Sequence, residues 1–350
     1  MTSEPLTLAD CGWNGFFQSQ LDIEESDETT AVRVMAVHRG GLEVLGPAFV
    51  GLIPPFGEDP EARATVGDWL LLERESLKPR RCLERRSLFK RRAAGTGLEI
   101  QLIAANIDTL FIVSSCNQDF NEARLERYLA LAREAEVTPL VVLTKADLCD
   151  DPAPLAQAAA RLLPGLLVES LDARDPAAVE VLRPWCGPGQ TVALLGSSGV
   201  GKSTLVNSLT GRGEQATGGI RAGDDKGRHT TTGRSLHRLP AGGWLLDTPG
   251  LRELQLVDVA AGLDEVFADI AALARACRFA DCRHDGEPGC AVAAAIASGR
   301  LDPARLVRQR KLLAEEARNR ESLAERRERG RAFGRMHKEV QKLKRRRYDN

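Results

Sequence analysis

Residues 196–204 read Gly-Ser-Ser-Gly-Val-Gly-Lys-Ser-Thr. Gly196, Gly199 and Gly201 let the backbone curl so that successive N–H groups, those of Ser197, Ser198 and Val200 among them, point inward at phosphate oxygens. Lys202 has the reach to touch β- and γ-phosphates. The Ser203 hydroxyl can ligate magnesium, and Thr204 continues the helix behind it. An apolar run, Thr191 to Leu195, precedes the loop, and Leu205, Val206 and Leu209 follow it at helical spacing. Strand, glycine loop and helix in that order make phosphate binding the expectation over a chance glycine turn.

Two further motifs complete a nucleotide site. Asp247-Thr248-Pro249-Gly250 closes an apolar stretch. Behind a phosphate loop, an Asp there holds magnesium through water, and the Gly250 N–H can sense a γ-phosphate. Thr144-Lys145-Ala146-Asp147 closes another apolar stretch. Guanine presents two adjacent donors on one edge. Asp147 can accept both, while the Lys145 stem packs along the base plane. Alone, each tetrapeptide reads equally well as a turn or a helix entrance.

A third constellation is Cys277-x4-Cys282-x-His284-x5-Cys290. Three thiolates and one imidazole suit tetrahedral zinc, and four protein ligands leave no open position, so such a site would be structural. Free thiols are the alternative. The other five of the eight cysteines are scattered, which argues against a disulfide framework.

The elements that must position these residues follow from the rest of the chain. With 350 residues, 28% charged and 43% hydrophobic, it reads as an ordinary globular protein of two or three domains. No apolar run is long enough to span a membrane. The N-terminus lacks the basic region of a signal peptide, so the cytoplasm is the expected compartment, with no membrane partner. The net charge of −1 hides an asymmetry. The first 30 residues carry acids and no Lys or Arg, whereas 78–92 and 318–347 are strongly basic. Basic ends of that kind can bind a polyanion locally.

Residues 1–30 read as a flexible acidic arm with a short ordered piece at Trp13, Phe16 and Phe17. Short strands follow at Val32–Val37, Leu42–Leu45, Phe49–Ile53 and Asp68–Leu72, separated by Gly/Pro turns. They suggest an oligonucleotide-binding barrel over 31–94, supported by Arg80, Arg81, Arg85, Arg86, Lys90, Arg91 and Arg92. Thr109–Val113, an amphipathic stretch over 122–136 and Pro139–Leu143 form a strand–helix–strand unit. That unit predicts a doubly wound parallel sheet. Residues 211–233 are Gly-rich and polar, the natural place for a switch segment. Beyond residue 256 the pattern turns helical, with Asp302-Pro303 opening a long basic helix. A charged tail occupies 321–350.

The base-reading motif precedes the phosphate loop, the reverse of the usual GTPase order. With Gly-Arg-His-Thr-Thr-Thr at 227–232 and Asp-Thr-Pro-Gly-Leu-Arg-Glu-Leu at 247–254, the chain resembles the circularly permuted GTPases of the ribosome small subunit-dependent GTPase A family. The resemblance implies a multidomain α/β protein. Its parts are an oligonucleotide-binding β-barrel, a permuted GTPase domain over 95–255 and a helical zinc domain over 256–320. It implies GTP hydrolysis with magnesium, one structural zinc, and binding to the small ribosomal subunit and its RNA, with a monomer expected. It implies Ser170 in the last base-contacting loop and Thr231 as the switch threonine on magnesium, with Thr230 and Thr232 as close rivals. Leu251 stands where many GTPases place a water-orienting Gln. The resemblance implies His229 as the substitute, since a histidine can position or deprotonate water. The chain departs from the family at Thr144, where Asn is usual. The shorter hydroxyl side chain leads to an expectation of weaker nucleotide affinity. A GTP-regulated RNA-binding protein without turnover, or a GTPase with a non-ribosomal RNA partner, are the alternatives.

Overall fold

The computed structural model describes residues 6–38, 40–92, 100–117, 119–211, 234–248 and 259–319. They fall into two compact units. One lies within Met1–Gln255 with Asp264–Val266, the other within Leu256–Leu263 with Phe267–Asn350.

In the first unit the strands are β1 Thr29–His38, β2 Gly41–Leu45, β3 Val50–Ile53, β4 Trp69–Glu73, β5 Pro79–Cys82, β6 Leu88–Arg92, β7 Ile100–Ala105, β8 Thr109–Ser115, β9 Thr138–Thr144, β10 Leu167–Ser170, β11 Thr191–Leu195, β12 Arg234–Arg238 and β13 Trp244–Asp247. The helices are α1 Gly15–Gln18, α2 Ile23–Glu28, α3 Glu122–Glu134, α4 Ala153–Ala160, α5 Pro176–Val179 and α6 Lys202–Thr210. Strands β10-β9-β8-β11-β13 run parallel in that order, and β12 joins β13 antiparallel. The near-continuous apolar runs of β8, β9 and β11 fit a sheet covered on both faces. Phe111, Val113, Leu140, Val142, Val192, Leu205 and Leu245 are buried in one core beneath the site.

The order reverses between β8 and β11. From β8 the chain steps outward to β9 and β10, then returns to β11 on the other side of β8. Such a switch point opens a crevice at the carboxyl ends of the strands, where ligands bind in open α/β sheets.

Strands β1–β5 form an antiparallel sheet in the order β3-β2-β1-β4-β5 around Val32, Val34, Leu42, Val44, Ile53, Leu70 and Leu72. No pairing joins β3 to β5 among the described residues. The ten-residue β1 pairs β4 over Thr29–Arg33 and β2 over Arg33–His38, with a bulge between Val34 and Ala36 that bends it. Ala36 and Val37 also pair with β12, so one eleven-stranded sheet runs through both parts of this unit. The Arg- and Lys-rich β6 is a strand the sequence pattern does not announce; it pairs with β7 as a separate ribbon.

The expectation of a flexible arm is corrected: order extends beyond the piece at Trp13, Phe16 and Phe17 to residues 6–28. Cys11 and Phe17 are buried. The Trp13 ring packs edge-on against Trp69 at 4.9 Å, and the Trp244 indole donates to the Asp10 carbonyl at 2.8 Å. Arg33, wholly buried, donates to the carbonyls of Cys11 at 2.6 Å and Asn106 at 3.1 Å. Burial pushes its guanidinium down to about 10, still protonated at neutral pH. The rings of Trp13, Phe17 and Trp69 pack against one another there, and aromatic side chains bury a large area each.

The acids of the segment and the basic stretch answer each other. Arg80 pairs with Glu28 and Arg81 with Glu25, both at 2.7 Å; Arg85 pairs with the buried Asp68 at 2.8 Å, and Arg86 pairs with Asp108. Four of the seven cations that suggested a polyanion surface are therefore engaged inside the molecule.

Candidate nucleotide and metal sites

The phosphate loop leaves β11 at Leu195 and turns into α6 at Lys202. Gly196 is required by its neighbour: a Cβ there would lie 2.2 Å from the Val113 carbonyl oxygen. Gly201, at φ +94°, caps the helix, and its Cβ would meet the Thr144 hydroxyl at 3.1 Å. Val200 is buried beneath the loop, while Ser198 and Gly199 are exposed at its mouth. Ser203 is exposed in the first turn of α6, with Thr204 half-buried beside it. The Lys202 ammonium folds into the loop, donating to the Gly196 carbonyl at 2.7 Å and to that of Ser197. The loop thus holds its cation among backbone carbonyls, ready to exchange them for phosphate oxygens.

The base-reading motif leaves the end of β9 and meets this loop directly. The Thr144 hydroxyl is fully buried, 3.1 Å from the Ser114 carbonyl, and donates to the closer Val200 carbonyl. The short side chain therefore keeps the tie to the phosphate loop that a longer Asn would make. Lys145 adopts a left-handed conformation at φ +58° and its ammonium donates to the Gly199 carbonyl at 2.8 Å. Two successive side chains thus fix the motif to the glycine loop, and Ala146 and Asp147 follow in a short helical turn at the crevice. Ala146 N–H donates to Leu171 O at 3.3 Å, bringing in the loop after β10. Ser170 ends β10, and its enclosed hydroxyl has no hydrogen-bond partner among the described residues.

Asp247 ends β13. Leu246 stands opposite Ala193 in the parallel β11–β13 pair, so Asp247 falls at the edge of the sheet where the phosphate loop begins. The sequence candidates thus converge from the carboxyl ends of four parallel strands: β9, β10, β11 and β13. Three of them, His229, Thr231 and Gly250, lie outside the described residues, as do Thr230 and Thr232. One group the motif reading passes over is Arg174, whose guanidinium donates to Asp147 at 2.7 Å. Its signal is only a basic residue shortly after an apolar strand, too common to single out.

In the second unit, Cys277, Cys282, His284 and Cys290 place their ligand atoms within 4.8 Å of one another. His284 Nδ1 lies 3.6 Å from Cys277 Sγ and 3.5 Å from Cys290 Sγ, and the two sulfurs are 3.9 Å apart. Those separations approach the edge of a tetrahedron around zinc, ~3.8 Å for sulfur ligands. The donor set and spacing fit a closed zinc site.

The loop that bears the histidine is built for it. His284 has φ +60°, and the Glu287 carboxylate accepts the flanking N–H groups of Arg283 at 2.8 Å and Asp285 at 2.7 Å. Arg310, on the helical stretch 303–319, donates to Asp285 at 3.1 Å and to the Arg283 carbonyl. Cys290 caps the helix Ala291–Ala297, its sulfur accepting the Ala293 N–H at 3.3 Å.

Of the other five cysteines, Cys11, Cys116 and Cys186 are buried and Cys82 is half-buried. Burial pushes the thiols of Cys11 and Cys116 up to about 11 and those of Cys82 and Cys186 to about 12. They stay protonated and unreactive at neutral pH. Iodoacetamide is expected to reach the half-buried Cys149 in the zinc-loaded protein, and to add Cys277, Cys282 and Cys290 after a strong chelator removes the metal and opens the cluster. Peptide mass spectrometry reads this directly; full labelling of those three before chelation would mean that no metal holds them.

Comparison with known proteins agrees with this geometry. The model of the RsgA GTPase family matches residues 82–257. A small ribosomal subunit biogenesis GTPase RsgA 2 from Vibrio parahaemolyticus is 52% identical over 346 residues, 99% of this chain and 95% of its own length. A small ribosomal subunit biogenesis GTPase RsgA from Mesorhizobium japonicum is 51% identical, over 91% of this chain and 92% of its own. Among solved structures, YjeQ from Thermotoga maritima superposes with a TM-score of 0.61 at 22% identity, covering 82% of this chain and 98% of its own. YloQ, a circularly permuted GTPase, superposes at 0.56 and 23% identity, covering 82% of this chain and 94% of its own. The fold is therefore that of the circularly permuted GTPases, and the chain belongs to the RsgA GTPase family.

Proposed function

We propose that this chain hydrolyses GTP in the biogenesis of the small ribosomal subunit, docking on its RNA. The observation that carries the reading is the 52% identity with a small ribosomal subunit biogenesis GTPase along 99% of the chain. The convergence of the phosphate loop and the Asp147 loop at the switch point supports its chemistry.

In this reading the backbone of Gly196 to Thr204 cradles the phosphates. Lys202 neutralises the β- and γ-phosphates, and Ser203 and Asp247 are the described residues that would hold magnesium. Bound magnesium would neutralise charge developing on the phosphates. Asp147 reads guanine, backed by Thr144, Lys145, Ala146 and Ser170. Thr231 orders the switch on GTP, Gly250 senses the γ-phosphate and His229 positions the attacking water. Hydrolysis releases the switch, and the protein leaves the subunit. Cys277, Cys282, His284 and Cys290 would hold a structural zinc, which would stiffen the C-terminal unit.

The parts we assign are an RNA-binding barrel over 31–94, the GTPase domain over 95–255, the zinc unit over 256–320 and the basic tail over 321–350. The protein acts as a monomer in the cytoplasm, where ribosomes are assembled. Among the described residues no helix is long and apolar enough to cross a membrane.

The test is GTP turnover by the purified protein alone and with small subunits, large subunits or transfer RNA. Small subunits alone are expected to raise turnover at least about tenfold, an effect weakened by salt as phosphate contacts are screened. Equal turnover in every mixture would remove the ribosomal partner.

A further inference from the structure

Beside the base-reading carboxylate stands a second one with a cation between them. Arg174 Nη2 donates to Asp147 Oδ2 at 2.7 Å and to Asp172 Oδ2 at 3.0 Å. Its Nε donates to Asp172 Oδ1 at 3.1 Å, and its backbone N–H donates to the same oxygen at 2.9 Å. One guanidinium nitrogen therefore serves carboxylates from two loops, the one after β9 and the one after β10.

We propose that Arg174 is a positioning residue for guanine recognition: by bridging Asp172 and Asp147 it holds the Asp147 carboxylate in place for two base donors. This rests on the reading of Asp147 as the guanine acceptor. Three observations carry it. First, the two carboxylate oxygens both lie within 3.0 Å of one nitrogen, close enough for like charges to repel once the cation is removed. Second, the segment that bears Arg174 is anchored: Ser208 of α6 donates to the Ala173 carbonyl at 2.6 Å, and Leu171 N–H donates to Leu143 O at 2.9 Å. Arg174 therefore acts from a fixed base and not from a loose loop. Third, an ionised carboxylate offers about four lone-pair sites. Asp147 can keep Arg174 and still accept guanine N1–H and N2–H. The hydrogen bonds from Arg174 also hold the Asp172 carboxyl below the usual range, so the second negative charge is present wherever nucleotide binds.

The side chain of Arg174 is 61% exposed. An ion pair so open to water adds little to stability, so a truncated variant should fold and its defect should lie in binding. Competition with the base is the opposite mechanism. If Arg174 instead blocked Asp147, its removal would tighten nucleotide binding.

The experiment measures affinities of the full chain for GDP and for inosine diphosphate, which lacks the 2-amino donor. Arg174→Ala is expected to lose at least about tenfold in GDP affinity and less for inosine diphosphate, so that the preference between them shrinks. The Asp172→Asn/Arg174→Ala double variant should regain part of the GDP affinity, because the repelling charge is gone. Unchanged or tighter GDP binding by Arg174→Ala, an unchanged preference, or no recovery in the double variant would each overturn the proposal. Asp147→Asn, tested with xanthosine diphosphate, separates the two levels. If that variant still prefers GDP, the base-reading assignment itself fails. If it switches while Arg174→Ala matches wild type, only the role of Arg174 fails.

Discussion

A Lys202→Ala variant is expected to lose tight GTP binding and turnover while keeping its fold. The Lys202 ammonium donates to the carbonyls of Gly196 and Ser197, inside the loop proposed to cradle the phosphates. Truncating one partner of a buried, hydrogen-bonded charge pair costs about 2–5 kcal/mol, roughly 30-fold to several-thousand-fold in affinity. The fold should survive because the packing beneath the loop comes from Val200 and Leu205, both buried and both untouched. Nucleotide titration, with circular dichroism of the nucleotide-free protein as the control, checks both halves. Wild-type kinetics in this variant would remove the phosphate-loop assignment.

The second large effect is a change of base. Asp147→Asn is expected to weaken GTP by roughly a hundredfold, the scale of two charge-assisted hydrogen bonds lost together. It should at the same time admit xanthosine triphosphate, whose edge replaces the 2-amino donor by a carbonyl acceptor that a carboxamide can serve. The geometry favours a clean exchange. Thr144 and Lys145 hold the loop to the carbonyls of Val200 and Gly199, and neither contact involves the Asp147 carboxylate. Competition binding with both triphosphates reads the switch; unchanged preference for GTP would show that another group reads the base.

These two expected effects would divide the proposed site into a half that recognises phosphate and a half that recognises the base. The Thr144 hydroxyl is the seam between them. The sequence comparison with Asn in the family led to an expectation of weaker nucleotide binding from a shorter side chain. The structure shows why that shortening is tolerated locally: the hydroxyl is buried at the point where Val200 O comes within its reach. Gly201 belongs to the same contact, since a Cβ there would press on the hydroxyl.

Much of this was legible in the chain itself, for a local reason. Gly196 to Thr204 form one turn and the start of one helix, so their spacing in sequence is their spacing in space. The same holds for Cys277, Cys282, His284 and Cys290, which sit in one short knuckle. The parallel strands β8, β9 and β11 announce themselves because burial on both faces demands unbroken apolar runs. The permuted order of motifs was visible too, because order along a chain is a sequence property.

Tertiary structure decided what depends on partners far along the chain. The acids Glu25 and Glu28 and the bases Arg81 and Arg80 look like an acidic arm and a basic patch until folding sets them against each other. Arg33, a charge within a strand pattern, is wholly buried and held by carbonyls of Cys11 and Asn106. The joining of β1 to β12 in one sheet, and the bridging of Asp147 and Asp172 by Arg174, likewise depend on juxtaposition. Periodicity and motif spacing report which residues share a face or a turn. They carry no record of which distant charge will neutralise which, and in this protein that pairing separates a solvated charge from a structural one.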